Sequence, residues 1–225
     1  MLQILAKQFN GIAGWSFEEL AFLYSLGLFS HAFVVIFFIQ TWSIEDLVIR
    51  GGFDRLLVRP INPLFHFLVS GINLIGIIDL LPASIIFFYS CTILHFELSI
   101  IHLAQLTAIV AGATLIRAGI YLFLGTAAFW TKKSRPLVMG GMVMMERATS
   151  YPQTIFPYLV QVALTFMLPI GFIAFYPSTA LLGKSQPFGF ITCSWIWTLG
   201  FGVVIWVCAC GLFRLGIRRY ESSGS

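Results

Sequence analysis

Charge is what this sequence has least of. Asp, Glu, Lys and Arg make up only 10% of its 225 residues, against about 25% in a typical soluble domain. Thirteen basic and nine acidic side chains cannot clothe a chain that is 59% hydrophobic and contains 23 Phe, so a water-soluble globule is excluded. The same composition excludes intrinsic disorder and leaves no basic surface for nucleic acid. Cysteine is also scarce. Cys91, Cys193, Cys208 and Cys210 lie in or beside apolar runs and form no C-x-x-C pair; they read as small buried hydrophobes and do not report a redox compartment. A secretory signal is missing, since Lys7 is the sole base ahead of the first apolar run, Glu18 and Glu19 precede that run, and no A-x-A site follows. Internal repeats, period-two strand patterns and glycines four apart are missing as well, which removes solenoids, outer-membrane barrels and a G-x-x-x-G dimer face.

What remains is apolar run after apolar run, with mean hydropathy +0.93. A helix crossing the hydrocarbon needs about 20 mostly apolar residues, and five runs qualify: residues 20–42, 64–93, 99–130, 155–175 and 188–213. The fold class is therefore an all-α integral membrane protein, a bundle of about five transmembrane helices in one domain. Runs two and three exceed one perpendicular span, so they tilt, kink or project.

The few charges set the orientation. Arg50, Arg55 and Arg59 follow run one; Lys132, Lys133, Arg135 and Arg147 lie between runs three and four; Arg214, Arg218 and Arg219 follow run five. Strict alternation puts these ten on one side and only Lys7 and Lys184 on the other. Short basic loops stay cytoplasmic, so the expected protein is multi-pass in the cell membrane with its C-terminus inside and its N-terminus outside.

The connections differ in character. Residues 43–63 are polar and should hold two short cytoplasmic helices: Ser43 with Asp46 forms a capping-box pattern, Gly51-Gly52 break the first helix, and Pro60 and Pro63 end the second. Residues 137–150 have helical propensity, and Tyr151-Pro152 and Pro157 interrupt the approach to run four. On the outer side, the proline-bracketed stretch 176–187 is too short to span and reads as a re-entrant or interfacial element. The polar tail 221–225 is set aside.

Catalytic chemistry finds little support. Residues 178–185 (STALLGKS) end like a phosphate loop, but Ser178 replaces the first glycine and the string joins spans rather than a strand and a helix. His95, Glu97 and His102 cluster near an outer turn with no standard metal spacing, so neither a metal site nor a catalytic residue is expected. Inside the membrane, Asp79 and Arg117 sit at matching depths on antiparallel neighbours, about 22 and 20 Å from the inner ends of their runs. Each is costly alone in lipid, which suggests an ion pair or a place on a solute path.

From Gly14-Trp15-Ser16 with Glu19, through Gly52-Phe53-Asp54-Arg55-Leu56-Leu57-Val58-Arg59-Pro60-Ile61-Asn62-Pro63-Leu64, the chain resembles the small permease subunits of ABC type-2 exporters. The likeness continues through Ala128-Phe129-Trp130, Tyr151-Pro152, Ile155-Phe156-Pro157, Leu168-Pro169 and Tyr176-Pro177. The resemblance implies that two permeases pair, that ATP and Mg are bound by separate ATP-binding cassette subunits with no cofactor in this chain, and that residues 44–63 meet the ATPase. Glu45, Arg50, Asp54, Arg55, Leu57, Arg59 and Pro60 are the coupling contacts it implies. It also implies a further helix ahead of Gly14, for which the 13 preceding residues are too few. A non-transporting membrane scaffold is the competing reading, since it accounts equally for the hydropathy and the basic loops; a membrane-embedded enzyme is the third.

Overall fold

The computed structural model describes residues 13–69, 71–188 and 193–220; Lys7 and the tail 221–225 lie outside them. Helix α1 (Phe17–Phe38) starts at a capping box. The Glu19 amide donates to the Ser16 hydroxyl at 3.2 Å, and the Ser16 amide donates to the Glu19 carboxylate at 2.7 Å. Two of the amides that any helix start leaves open are thereby satisfied. At 1.5 Å per residue α1 is about 33 Å long, enough to cross hydrocarbon. A 3-10 turn, Ile39–Trp42, leads to the short helices α2 (Ile44–Ile49) and α3 (Gly52–Leu57). Gly51 stands between them at φ +67°, a left-handed position that favours glycine. The capping box expected at Ser43 is not formed, because its hydroxyl turns back to the Gln40 carbonyl at 2.9 Å.

Run two is divided. Helix α4 (Pro63–Val69) is separated from α5 (Gly76–Ile93) by a non-helical stretch. There the Asn73 amide donates to the Ile36 carbonyl at 3.0 Å, and the Ile75 amide donates to the Asn73 side chain at 2.9 Å. Run three forms α6 (Ile100–Thr126), with Ser99 as its cap, and the one-turn α7 (Ala128–Thr131). Helix α8 (Arg135–Ser150) then opens with Pro136 in its first turn, where a missing amide costs nothing.

Run four is not the single spanning helix expected from its composition. It comprises a 3-10 turn at Gln153–Ile155, the five-residue α9 (Tyr158–Val162), a π turn at Ala163–Met167 and another 3-10 turn at Ile170–Phe172. Pro152, Pro157 and Pro169 each withhold an amide and restrict the residue before, which ends every helical segment early. The chain closes with α10 (Phe175–Leu181), whose residues Phe175–Thr179 are buried, and α11 (Ser194–Arg218). Among the described residues, four stretches rather than five are long and apolar enough to cross a bilayer: Phe17–Ile49, Gly76–Ile93, Ile100–Thr131 and Ser194–Arg218.

Helix α6 is the hub, packing most extensively on α11 and also against α1 and α8. Glycine sets the closest approach. A β-carbon on Gly112 would stand 2.6 Å from the Thr198 carbonyl oxygen, and one on Gly202 would stand 2.5 Å from that of Gly112. Gly119, seven residues on and therefore on the same face, meets Ile205 and Trp206. A search for glycines four apart misses this pattern, since the contact uses a spacing of seven on one helix and a single glycine on the other.

Nine of the ten basic residues counted above gather at one end, where Phe53 and Tyr220 touch and Arg135 reaches Asp46; we term it the basic end. The tenth, Arg147, does not. At the opposite end the Lys184 ammonium pairs with Glu19 at 2.7 Å, donates to the Gly14 carbonyl at 2.8 Å and lies 5.0 Å from the centre of the Trp15 ring. The lysine of the G-K-S string is thus a tie between α1 and the loop after α10.

Gly202→Val should lower the melting temperature of the purified protein in detergent, at a cost of about 1–3 kcal/mol or more from overpacking. Gly211→Val is the control, because nothing lies within 4 Å of the β-carbon position at Gly211; equal melting temperatures for the two variants would refute the packing assignment.

Candidate functional site

The polar string after run one folds onto the bundle through an aromatic anchor. Phe53, fully buried, sits among Phe129, Tyr220, Phe213 and Phe67, with ring centres 5.1, 5.7, 6.0 and 6.1 Å away. These rings come from α4, α7, α11 and the residues after it, so one side chain ties α3 to three other parts of the fold. Ile44 and Val48 bury against the same cluster. Burying a Phe contributes roughly 1.5–3 kcal/mol, which fixes α2 and α3 as a docked element rather than a loose loop.

Two carboxylates complete the docking. Glu45 accepts hydrogen bonds from the backbone amides of Ser134 and Arg135, at the start of α8, where the amides are unpaired and the helix dipole favours negative charge. Beside it the Arg135 guanidinium pairs with Asp46 at 2.7 Å. That second contact is surface-exposed and contributes little energy by itself, but it fixes direction. Glu45 belongs to the polar stretch beyond the membrane crossing, and its carboxyl is held below the usual glutamate range, first by the Arg135 amide and then by the Ser134 amide and the charges of Arg135 and Lys133. A lowered carboxylate pKa means that the contact contributes fully above the ordinary glutamate value and is lost as pH falls through the lowered one.

The other coupling candidates stay on the outside. Arg50, Asp54, Arg55, Leu57, Arg59 and Pro60 are all exposed, and Arg59 meets His66 at 2.6 Å. Sequence reasoning grouped Glu45 with them. The structure separates it, because Glu45 faces the α8 amides while the remaining six form an open surface.

The second polar centre lies at depth. Arg117 is 2% exposed, about 14 Å from the end of α6 at Thr126. Its guanidinium donates to the Ser30 hydroxyl at 3.2 Å, the Thr149 hydroxyl at 3.3 Å and the Gly27 carbonyl at 3.4 Å. Thr149 packs at ordinary van der Waals distance against Gly27, 3.4 Å from its β-carbon position. Among the described residues no ion pair joins Arg117 to Asp79. Equal depth on two helices does not by itself make a contact; α6 directs Arg117 at Ser30 and Gly27 of α1 and Thr149 of α8. Glu146, whose backbone carbonyl accepts from the Thr149 hydroxyl at 3.3 Å, is an acid near this centre that sequence reasoning left out.

Thus α8 links the two centres. Its first residues rest on Glu45 and Asp46, its sixteen residues rise about 24 Å, and Thr149 in its last turn touches Gly27 and Arg117. The hydroxyl acceptors at the deep end are already bonded within their own helices, Ser30 to Gly27 and Thr149 to Met145, each at 2.8 Å. Removing the guanidinium therefore leaves neither of them stranded. Elsewhere, α1, α5 and α6 enclose an open cavity of about 720 Å³ lined by Phe29, Phe33, Phe87, Phe88 and other apolar side chains. No group of His, Cys, Asp or Glu suited to a metal ion occurs among the described residues; His102 is turned to the Glu97 carbonyl oxygen at 2.6 Å.

Arg117→Met should fold with stability within about 1 kcal/mol of the parent, as an apolar replacement of buried charge often does, whereas Arg117→Ala should lose about 2–4 kcal/mol to the cavity it leaves. Asp79→Asn should change melting by less than either; a loss as large as that of Arg117→Ala would restore the abandoned pair. Glu45→Ala should speed hydrogen exchange at the Ser134 and Arg135 amides about tenfold, the equivalent of one charge-assisted hydrogen bond. Unchanged exchange at those two amides would remove the clamp.

The family described as ABC-2 family transporter protein matches residues 1–224. No curated protein and no solved structure matches the chain. With a family match over nearly its whole length and a bundle of long apolar helices, the chain belongs to the ABC-2 transporter family and is a membrane permease component of an ABC transporter.

Proposed function

We propose that this permease works as one of two transmembrane subunits of an exporter, driven by separate ATP-binding cassette subunits that hold ATP and Mg on the cytoplasmic side. The observation that carries the reading is the division of labour in residues 44–60. One face is locked to the bundle by Phe53 and Glu45, and the other presents Arg50, Asp54, Arg55, Leu57, Arg59 and Pro60 outward. A segment that only joined two spans would need neither an aromatic socket nor a charged open face. Charge suits it to a soluble partner, and the basic loops around it support a cytosolic one.

Force then has a defined route. Closure of the ATPase pair shifts α2 and α3, which are too firmly anchored to slide on the bundle. The Glu45 and Asp46 contacts pass the displacement to the start of α8, and α8 delivers it to Arg117 and Thr149 at half depth. Prolines 152 and 157 lie just beyond, where the backbone is broken and can yield. ATP supplies the difference in affinity between inward-open and outward-open states, and the solute follows that shift. No catalytic residue is assigned to this chain.

Reversing charge at Asp54 and Arg59 together should abolish co-purification of the ATPase, and unchanged capture with unchanged ATP turnover would overturn the coupling assignment in favour of a scaffold. Glu45→Ala with Asp46→Ala should behave differently. The ATPase should still bind, but ATP-driven solute movement in vesicles should fall about five- to tenfold, the scale of an ordinary coupling free energy of about 1–3 kcal/mol. Full transport in that variant would remove α8 from the route.

A further inference from the structure

Two charged residues of α8 stand at a depth where hydrocarbon would surround them. The helix begins beside Glu45 and Asp46 at the basic end and ends with Thr149 against Gly27, ten residues or about 15 Å into α1. Glu146 and Arg147 lie four and three residues before its last residue, Ser150. Glu146 is three residues, about 4.5 Å, below Thr149 along α8. Both are exposed, and with Val143, Ser150, Tyr151 and Phe156 they line an open cleft of about 530 Å³. The opposite face of α8, with Val138, Met145, Ala148 and Thr149, is buried against this chain. A carboxylate or guanidinium facing lipid at that depth is strongly disfavoured, so the exposed face meets protein or a water-filled space.

The two residues cannot neutralise each other. Neighbours on a helix point about 100° apart and do not meet. They are, however, arranged to neutralise a copy of themselves. All copies of a membrane protein insert in one orientation, so a two-fold axis relating two of them runs along the membrane normal and brings together residues of equal depth. Glu146 and Arg147 differ in height by about 1.5 Å. Val143, four residues before Arg147 and three before Glu146, lies between them on the same face. If Val143 faces the axis, Glu146 stands to one side of it and Arg147 to the other, and the two-fold exchanges the sides. We propose that a second copy of this chain packs against α8, Glu146 of each subunit pairing with the partner's Arg147. A different permease would have to place both complementary charges independently, whereas a second copy supplies them by symmetry. Val143 is 51% exposed and nothing lies within 4 Å of the β-carbon position at Gly140, which leaves this face free for close helix contact. The proposal rests on the permease reading, which pairs subunits, and names the partner and the contact.

The test uses two differently tagged copies of the full chain expressed together and captured from membranes through one tag. Glu146→Arg paired with itself, and Arg147→Glu paired with itself, should each reduce recovery of the second tag about tenfold or more through two like-charge contacts. Co-expressing Glu146→Arg with Arg147→Glu should restore recovery, since each reversed charge then meets its opposite; that recovery also shows that both variants fold. Val143→Cys, in a background without the four native cysteines, should give an oxidised dimer, while Ile85→Cys on the exposed face of α5 should not. Undiminished self-association of the single reversals, failure of the mixed pair to recover, or absence of the Val143→Cys dimer overturns the proposal. Failure of the unaltered chain to capture any ATPase, with self-association intact, overturns the exporter reading and leaves this contact standing.

Discussion

A charge inside hydrocarbon must be covered, and that requirement organises this protein more than any other. Thirteen basic and nine acidic residues are distributed over 225 positions, and most of them stay at the ends of the bundle. Arg117 is the buried exception, satisfied by two hydroxyls and a carbonyl rather than by an acid. Those partners come from α1 and α8, so the guanidinium can be accommodated only when three helices meet. Around it the packing follows: Thr149 rests against Gly27, Gly112 and Gly202 let α6 and α11 touch backbone to backbone, and α6 becomes the hub.

The same requirement explains why α8 is unusual. It carries Glu146 and Arg147, both exposed, to the depth at which Arg117 is buried, with its base clamped by Glu45 and Asp46. A helix held at both ends, with a proline-broken continuation above it, is a stiff element attached to a pliable one. In the proposed mechanism the stiff part carries displacement and the pliable part absorbs it. The aromatic socket around Phe53 serves the complementary purpose, since a coupling surface that could slide over the bundle would dissipate any push it received.

Sequence patterns located these parts unevenly. The string from Gly52 to Leu64 pointed to the docked element, and Arg50, Asp54, Arg55, Leu57, Arg59 and Pro60 are on its open face. Phe53 sat inside that string without notice, because one Phe among 23 carries no periodic signal. Glu45 was grouped with the outward residues because charge alone does not report which way a side chain turns. Arg147 belongs by sequence to the basic connection between runs three and four, and the structure sets it near the far end of α8, away from the other nine basic residues. Asp79 and Arg117 were paired on depth alone, and depth is half the information a contact needs.

Composition and hydropathy by themselves determined that the chain lives in a membrane, that it is helical, and that its charges concentrate at one end, because transfer of apolar surface and charge between water and lipid depends on residue type and little else. The motif strings placed it in its family. Tertiary packing alone decided that four long helices stand beside a broken fourth run, that Arg117 meets Ser30, Gly27 and Thr149, and that Glu45 faces α8. Position along a helix axis follows from counting residues, but the direction in which each side chain points becomes a contact only after neighbouring helices have chosen their rotation and approach, and glycines, prolines and buried hydrogen bonds make that choice.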